Sequence, residues 1–315
     1  MSVLQRLGTT MVVVLALLGL TAGTSSAQES PALGVSTPPA EPPQGDILSA
    51  GLWAALNNPA ASPPGANDYT CKPSAAHPNP VVLVHGTFGN AYDSWAELSP
   101  QLKADGYCVF ALNYGGAPGL LFQGYGDIAA SAAQLGTFVD SVLKATGASA
   151  VDMVGHSQGG LMPRYYIQNL DGASKVHHLI GLAPSNYGTD FYGILPQALA
   201  SPIAVQVLAA ICLACVQQVA GSPFLDELNR NGDTVERVQY TVIETRYDDV
   251  ITPYTNAFMK DQRATNLTVQ DFCDLDFTDH VGIPYDPITL RIVRNSLDPA
   301  HAVTPPCFFV PPVVS

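Results

Sequence analysis

The sequence predicts an α/β protein built on a mostly parallel, twisted sheet with helices on both faces. Three observations predict it. Short continuous apolar runs such as Val81-Val82-Leu83-Val84 are of the kind buried on both faces of a parallel sheet. These runs alternate with stretches of helical spacing, which supply the right-handed crossovers that parallel strands require. One run, Ala150-Val151-Asp152-Met153, enters Val154-Gly155-His156-Ser157-Gln158-Gly159-Gly160, a strand-to-helix turn with small residues on both sides of a serine. Ligands of such a sheet belong at the carboxyl ends of its strands.

Taken in order, the chain of 315 residues opens on a targeting segment. Arg6 gives a short positive region, Met11 to Leu20 an apolar run, and Ser25-Ser26-Ala27 small residues for cleavage. A signal peptide is therefore expected over residues 1–27, with a secreted, extracellular mature chain that has no integral membrane span. The rival reading, an uncleaved anchor, lacks a strongly basic flank. Residues 28–66 form an N-terminal arm rich in Pro and Ala, with Ile47 to Leu56 as a possible short helix. Residues 67–315 are the folded domain.

Within it, strands are expected at Val81 to Val84, Tyr107 to Asn113, the run before Ser157, Val176 to Leu182, Gln239 to Thr245 and Leu267 to Phe272. Helices are expected through Trp95 to Ala104, Asp127 to Ala145 and Leu161 to Asn169. Between Asn186 and Asp233 the strand rhythm stops, and Phe191 to Ala220 is strongly apolar. Two readings stand for this insertion: core helices, or helices that line the mouth of a site.

The serine turn carries the chemistry. A helix starting at Ser157 aims its N-terminus at the hydroxyl, which favours negative charge developing on a nearby oxygen. A nucleophilic serine needs a base, and the base an orienting carboxylate. In strand–turn–helix sites of this type the chain order is Ser, acid, His. Of seven histidines, His77 and His85 precede Ser157, His156 lies in the turn, and His177-His178 sit in or beside a strand. His280 and His301 remain, and His280 is preferred because it follows the last strand in a turn context. Asp248 and Asp249 both follow the strand ending near Thr245; Asp248 is preferred, as the first to project over the strand tips. The oxyanion of a tetrahedral intermediate would meet the N–H of Gln158 and that of Thr87, whose hydroxyl could add a third donor.

These residues carry a resemblance. His85-Gly86-Thr87, Gly106-Tyr107-Cys108, the Gly155–Gly160 turn, Ala183-Pro184, Asp248-Asp249-Val250-Ile251-Thr252-Pro253 and Asp279-His280-Val281-Gly282 resemble secreted actinobacterial triacylglycerol lipases of the α/β-hydrolase superfamily. More distantly they resemble yeast lipase B. The likeness runs from about Cys71 to Cys307. It implies an α/β-hydrolase fold and a serine carboxylic-ester hydrolase, a lipase or esterase, with Ser157, His280 and Asp248 as triad and Thr87 and Gln158 at the oxyanion. Acyl transfer to an alcohol by the same triad, and a catalytically silent surface-binding module, are the alternatives. The likeness also implies disulfides Cys71–Cys108 and Cys273 to a downstream cysteine, for which Cys307 is available. Cys212 and Cys215 are left for a local bridge; a redox Cys-x-x-Cys lacks its usual context.

Composition limits partners. The net charge of -13 argues against nucleic acid and against anionic membranes. Charged residues make up only 12% of the chain against 47% hydrophobic, which implies a compact molecule with an apolar surface suited to lipid or polyester. No cofactor is expected, and no metal, because Asp274, Asp276 and Asp279 match no calcium loop. The chain is expected to act as a monomer. Tyr114, Phe122, Tyr187 and Phe191 are candidate substrate-binding walls, and core packing accounts for each equally well.

Overall fold

In the computed structural model of the protein, residues 51, 55–195 and 200–313 are described. The signal peptide expected at 1–27 and most of the arm lie outside them. Of the helix expected at Ile47 to Leu56, Gly51 and residues 55–57 are described and are helical. Among the described residues, no helix is long and apolar enough to cross a membrane.

The core is a six-stranded sheet in the order β2-β1-β3-β4-β5-β6. Its strands are β1 (Val81–Val84), β2 (Val109–Leu112), β3 (Val151–His156), β4 (Val176–Leu182), β5 (Gln239–Glu244) and β6 (Ala264–Thr268). Every ladder is parallel. Successive side chains point to opposite faces, so each strand feeds two cores. Val81, Leu83, Val154, Ile180 and Ile243 pack with Trp95, Leu98 and Leu102 on one face. Val82, Val84, Met153, Leu179 and Val242 pack with Ile128, Leu135, Val139 and Tyr166 on the other. All ten strand residues are essentially inaccessible to water, which is why these strands read as continuous apolar runs.

Among the described residues, α1 (Ala91–Trp95), α2 (Leu98–Ala104), α3 (Ile128–Thr146) and α4 (Gln158–Asn169) lie along the sheet, and α5 (Pro202–Ile211) and α6 (Leu213–Gln217) belong to the insertion. Two more follow, α7 (Pro223–Asn229) and α8 (Pro287–Leu297). Helix α3 begins at an Asp127 cap and stops at Gly147 in the left-handed conformation, which bounds its apolar stripe at both ends. The single helix expected through Trp95 to Ala104 is two. Asn90 accepts the N–H groups of Tyr92 and Asp93 while the Asp93 carboxylate accepts that of Asn90, so a capping box starts a separate helix at Ala91.

The last strand also differs from expectation. It runs Ala264–Thr268 instead of Leu267 to Phe272, because Thr268 pairs with Glu244, the final residue of β5. Beyond that point no ladder partner remains, and Val269 turns into the core in a 3₁₀ turn. The arm is tied to the sheet where it ends: Asn67 donates its N–H to Val109 O, and its side chain exchanges hydrogen bonds with Ala111.

The insertion settles partly against the core reading. Helix α5 buries none of its residues, and Ile203, Val207 and Ile211 are 74%, 58% and 44% exposed. Helix α6, by contrast, is seated: Ala214 is buried, and Gln217 hydrogen-bonds the N-terminus of α3 through Ile128 N–H and Asp127.

Three disulfides join Cys71 to Cys108, Cys212 to Cys215, and Cys273 to Cys307. The third clasps the segment after β6 to the chain beyond α8. Backbone bonds between Phe277 and Val310 and between Val310 and Leu275 extend that clasp. Exchanging Cys273 and Cys307 together for Ser removes a crosslink spanning 34 residues. It should lower stability by about 2–4 kcal/mol, read as a fall in calorimetric melting temperature. An unchanged melting temperature would mean that the hydrogen bonds alone hold the segment.

Candidate active site

The site forms where β1, β3, β5 and β6 end. Between β3 and α4 the chain reverses at Ser157, whose φ of 55° and ψ of -123° lie in a region costly for a non-glycine residue, by about 1–3 kcal/mol. Crowding imposes it. A Cβ on Gly155 would lie 1.8 Å from Gly159 O, and one on Gly159 would lie 2.1 Å from Val84 O. Both positions therefore tolerate only hydrogen, and the serine is lifted over the sheet edge as α4 begins.

After β1, the His85–Gly86–Thr87 loop is held from below. Tyr114 donates its hydroxyl to His85 O at 2.6 Å and stacks on the imidazole at 4.3 Å. Phe88 N–H donates to Gln123 O and Gln123 N–H to Gly89 O, fixing the loop to residues 123–124. The Gln158 side-chain amide donates to Gly124 O at 2.7 Å and to Thr87 Oγ1 at 3.1 Å. Thr87 and Gln158 thus meet beside Ser157. As the first residue of α4, Gln158 carries a backbone N–H with no intrahelical acceptor.

After β5, Asp248 Oδ1 accepts the N–H groups of Val250 and Ile251, and its Oδ2 lies 2.7 Å from His280 Nδ1. The side chains of Asp248 and His280 are 0% and 6% exposed. Asp249 is the neighbour that does not pair; burial and the nearby Asp279 carboxylate push its pKa up. His301 stands apart, its side chain 83% exposed and matched with Asp298. Burial opposes charge on His280, but the carboxylates of Asp248, Asp249 and Asp279 together outweigh it, and the imidazole pKa ends above its ordinary value. Asp279 holds the loop by accepting Gly282 N–H at one oxygen and Val313 N–H at the other.

Two site residues escape sequence reasoning. His156 donates Nε2–H to His280 O at 2.9 Å and packs ring to ring against it at 4.9 Å, so the residue before the serine anchors the histidine loop. Burial, then the His280 charge, hold its pKa well below the usual value. Glu244, at the tip of β5, is fully buried. Its Oε1 accepts Thr245 N–H and its Oε2 has no partner among the described residues. Burial and then the Asp248 charge drive its pKa well up. A carboxylate closing the apolar run Tyr240 to Ile243 is the signal that could have drawn notice.

The four candidate wall residues separate. Tyr114 is buried under the loop, as above. Tyr187 donates to Asp233, lies under Lys260 at 3.9 Å, and lines a groove of about 550 Å³ with Leu225, Asn229 and Arg230 rather than with any of Ser157, Asp248 or His280. Phe122 is half-buried next to the Gln123–Gly124 support, and half-buried Phe191 packs edge-on against Tyr192. No group of three or more His, Cys, Asp or Glu among the described residues could hold a metal ion.

A parallel sheet crossed by helices, with a serine turn at the carboxyl ends of its strands, defines an α/β-hydrolase. Residues 78–289 match the family model of class 2 lipases, and the chain belongs to that family. Over 96 residues it is 40% identical to triacylglycerol lipases of Pseudarthrobacter phenanthrenivorans and Burkholderia plantarii, a segment covering 29% of this chain. That segment covers only 28% and 25% of those relatives. Among solved structures, Aspergillus fumigatus lipase B superposes with a TM-score of 0.60 at 20% identity, over 88% of this chain and 64% of its own. The mature Bacillus licheniformis lipase BlEst2 does so at 0.53 and 16%, over 71% and 94%. These two likenesses concern the fold.

The three histidines around the elbow should titrate apart. Imidazole ¹⁵N shifts should show His280 still protonated above pH 6.5, His156 neutral well below that value, and His85 neutral down to about pH 4. Since folding raises the His280 pKa, its ion pair stabilises the fold below the unfolded value and stops doing so as pH rises through the folded one. A His280 pKa at or below 6.5 would mean that burial outweighs the surrounding carboxylates.

Proposed function

We propose that the protein is a secreted serine carboxylic-ester hydrolase that works through Ser157, His280 and Asp248. The observation that carries this reading is the 2.7 Å contact between His280 Nδ1 and Asp248, on a loop bonded to His156, the residue before the serine. Asp248 holds the Nδ1–H tautomer, which leaves the Nε2 lone pair free to take the serine proton. The Ser157 oxygen then bonds to the ester carbonyl carbon, and its proton passes to Nε2. The carbonyl oxygen, now an anion, receives hydrogen bonds from Gln158 at the start of α4 and from Thr87 in the loop after β1. The intermediate collapses: the C–O bond to the alcohol breaks, the alcohol leaves with the Nε2 proton, and an acyl-serine remains. Water enters, its oxygen bonds to the acyl carbon as its proton passes to Nε2, and collapse breaks the bond to Ser157 Oγ, which takes that proton back as the acid leaves.

Secretion fits three disulfides, which persist in oxidising compartments. The substrate we propose is a short to medium acyl ester, extending to polyester chains presented on a solid surface. The exposed apolar side chains of Ile203, Val207 and Ile211 on α5 support contact with such a surface.

Ser157→Ala should reduce turnover by about 10⁴-fold or more, and His280→Ala by a similar factor. Asp248→Asn should cost about 10²–10⁴-fold through loss of the orienting partner, and Asp249→Asn far less. Hydrolysis of soluble p-nitrophenyl esters measures all four, and a larger loss at Asp249 than at Asp248 would reverse the assignment of the acid. For the polymer, purified enzyme is incubated with polyester film and the supernatant chromatographed. Soluble products above the Ser157→Ala control are expected; none, with brisk cleavage of a soluble ester, restricts the enzyme to small esters and lipids.

A further inference from the structure

Thr87 Oγ1 is the meeting point of two side-chain amides. It lies 3.1 Å from Gln158 Nε2 and 2.9 Å from Gln218 Nε2. The orientation of each amide is pinned by a backbone carbonyl. Gln158 Nε2 also donates to Gly124 O at 2.7 Å, and Gln218 Nε2 to Ala214 O at 3.1 Å, while Gln218 Oε1 accepts the Ser185 hydroxyl at 2.7 Å. Flipping either amide would set oxygen against oxygen. Both groups therefore donate to Thr87, and a threonine hydroxyl has two acceptor lone pairs and one proton. With both lone pairs engaged, the proton is confined to the remaining tetrahedral direction.

We infer that Gln218 is a positioning residue that locks the Thr87 hydroxyl as a donor to the substrate oxyanion. The inference rests on the acyl-enzyme reading above. Were Gln218 absent, one lone pair of Thr87 would be free, and the hydroxyl could turn its proton toward another acceptor. Part of the preorganisation that makes such a donor effective would go with it.

The residue is well placed for this. Gln218 follows α6 and is 7% exposed. Its carbonyl accepts Thr189 N–H, and Ala214 N–H donates to Tyr125 O, so both flanks are fixed to the body of the protein. The Cys212–Cys215 bridge lies in the same turn, between surface helix α5 and buried Gln218. The insertion thus contributes a member to the catalytic machinery's support, beyond any role of α5 at the surface.

The test uses the full enzyme and soluble esters. Gln218→Leu, close in size but without the amide, should lower kcat by at least about tenfold while KM stays within about threefold. Gln218→Glu should lose more at neutral pH, because a carboxylate accepts the Thr87 proton and draws it away from the substrate. Thr87→Val deletes the hydroxyl, and the double variant Thr87→Val with Gln218→Leu should be no slower than Thr87→Val alone. Inhibition by a trifluoromethyl ketone, whose hemiketal oxygen occupies the same place, should weaken in parallel with kcat/KM. Melting temperature and near-ultraviolet circular dichroism verify folding, with Gln218→Met as replacement if the leucine variant does not fold. Additive losses in the double variant, or kcat for Gln218→Leu within twofold of the parent, overturn the inference. Activity retained by Ser157→Ala would instead overturn the reading on which it rests.

Discussion

The rest of the site depends on how closely α4 approaches β1 and β3. With no side chain at Gly155 or Gly159, the first turn of the helix sits directly against the carbonyls of Val84 and His85. That contact does two things at once. It forces Ser157 into its left-handed backbone and out over the sheet, and it brings the helix start alongside the loop that carries Thr87. Segments about 70 residues apart in the chain (|i−j| of 71 between Gln158 and Thr87) become neighbours within hydrogen-bonding distance. The cost of the strained serine is borne by core packing on both faces of the sheet, where strands contribute side chains with essentially no exposure.

The second constraint is electrostatic. Asp248, Asp249 and Asp279 all raise the proton affinity of His280, in a region that excludes water. Glu244, fully buried at the tip of β5, lies beside Asp248, and burial and then that neighbour's charge push its pKa well up. Like carboxyls in contact cannot both ionise cheaply. Near the elbow, burial lowers the pKa of His85 and His156 instead. Of these three imidazoles, only His280 has its proton affinity raised.

Much of this was legible because the signals are local. Continuous apolar runs located the strands, glycines flanking Ser157 marked the turn, and chain order narrowed the histidines to His280 and His301, which the structure separates by burial and pairing. The preference for Asp248 over Asp249 rested on the direction in which residues leave a strand tip, and Asp248 is the one paired with His280. What could not be read was set by partners distant in sequence. Gln218 stands at the end of an apolar stretch, and nothing in its surroundings announces a contact with Thr87, 131 residues away. The end of β6 depended on where β5 stopped, and the exposure of α5 on what the insertion found to pack against. A sequence period distinguishes helix from strand but not a covered helix from a bare one.

The clasp at Cys273–Cys307 bears on the order in which the molecule matures. His280 is placed by a loop that Val310 and Val313 hold from a segment synthesised some thirty residues later, and by a bond that needs an oxidant. The sheet, the serine turn and Asp248 are all complete in sequence before then. The sheet is thus specified by the first part of the domain, and the loop that carries His280 is fastened by its last.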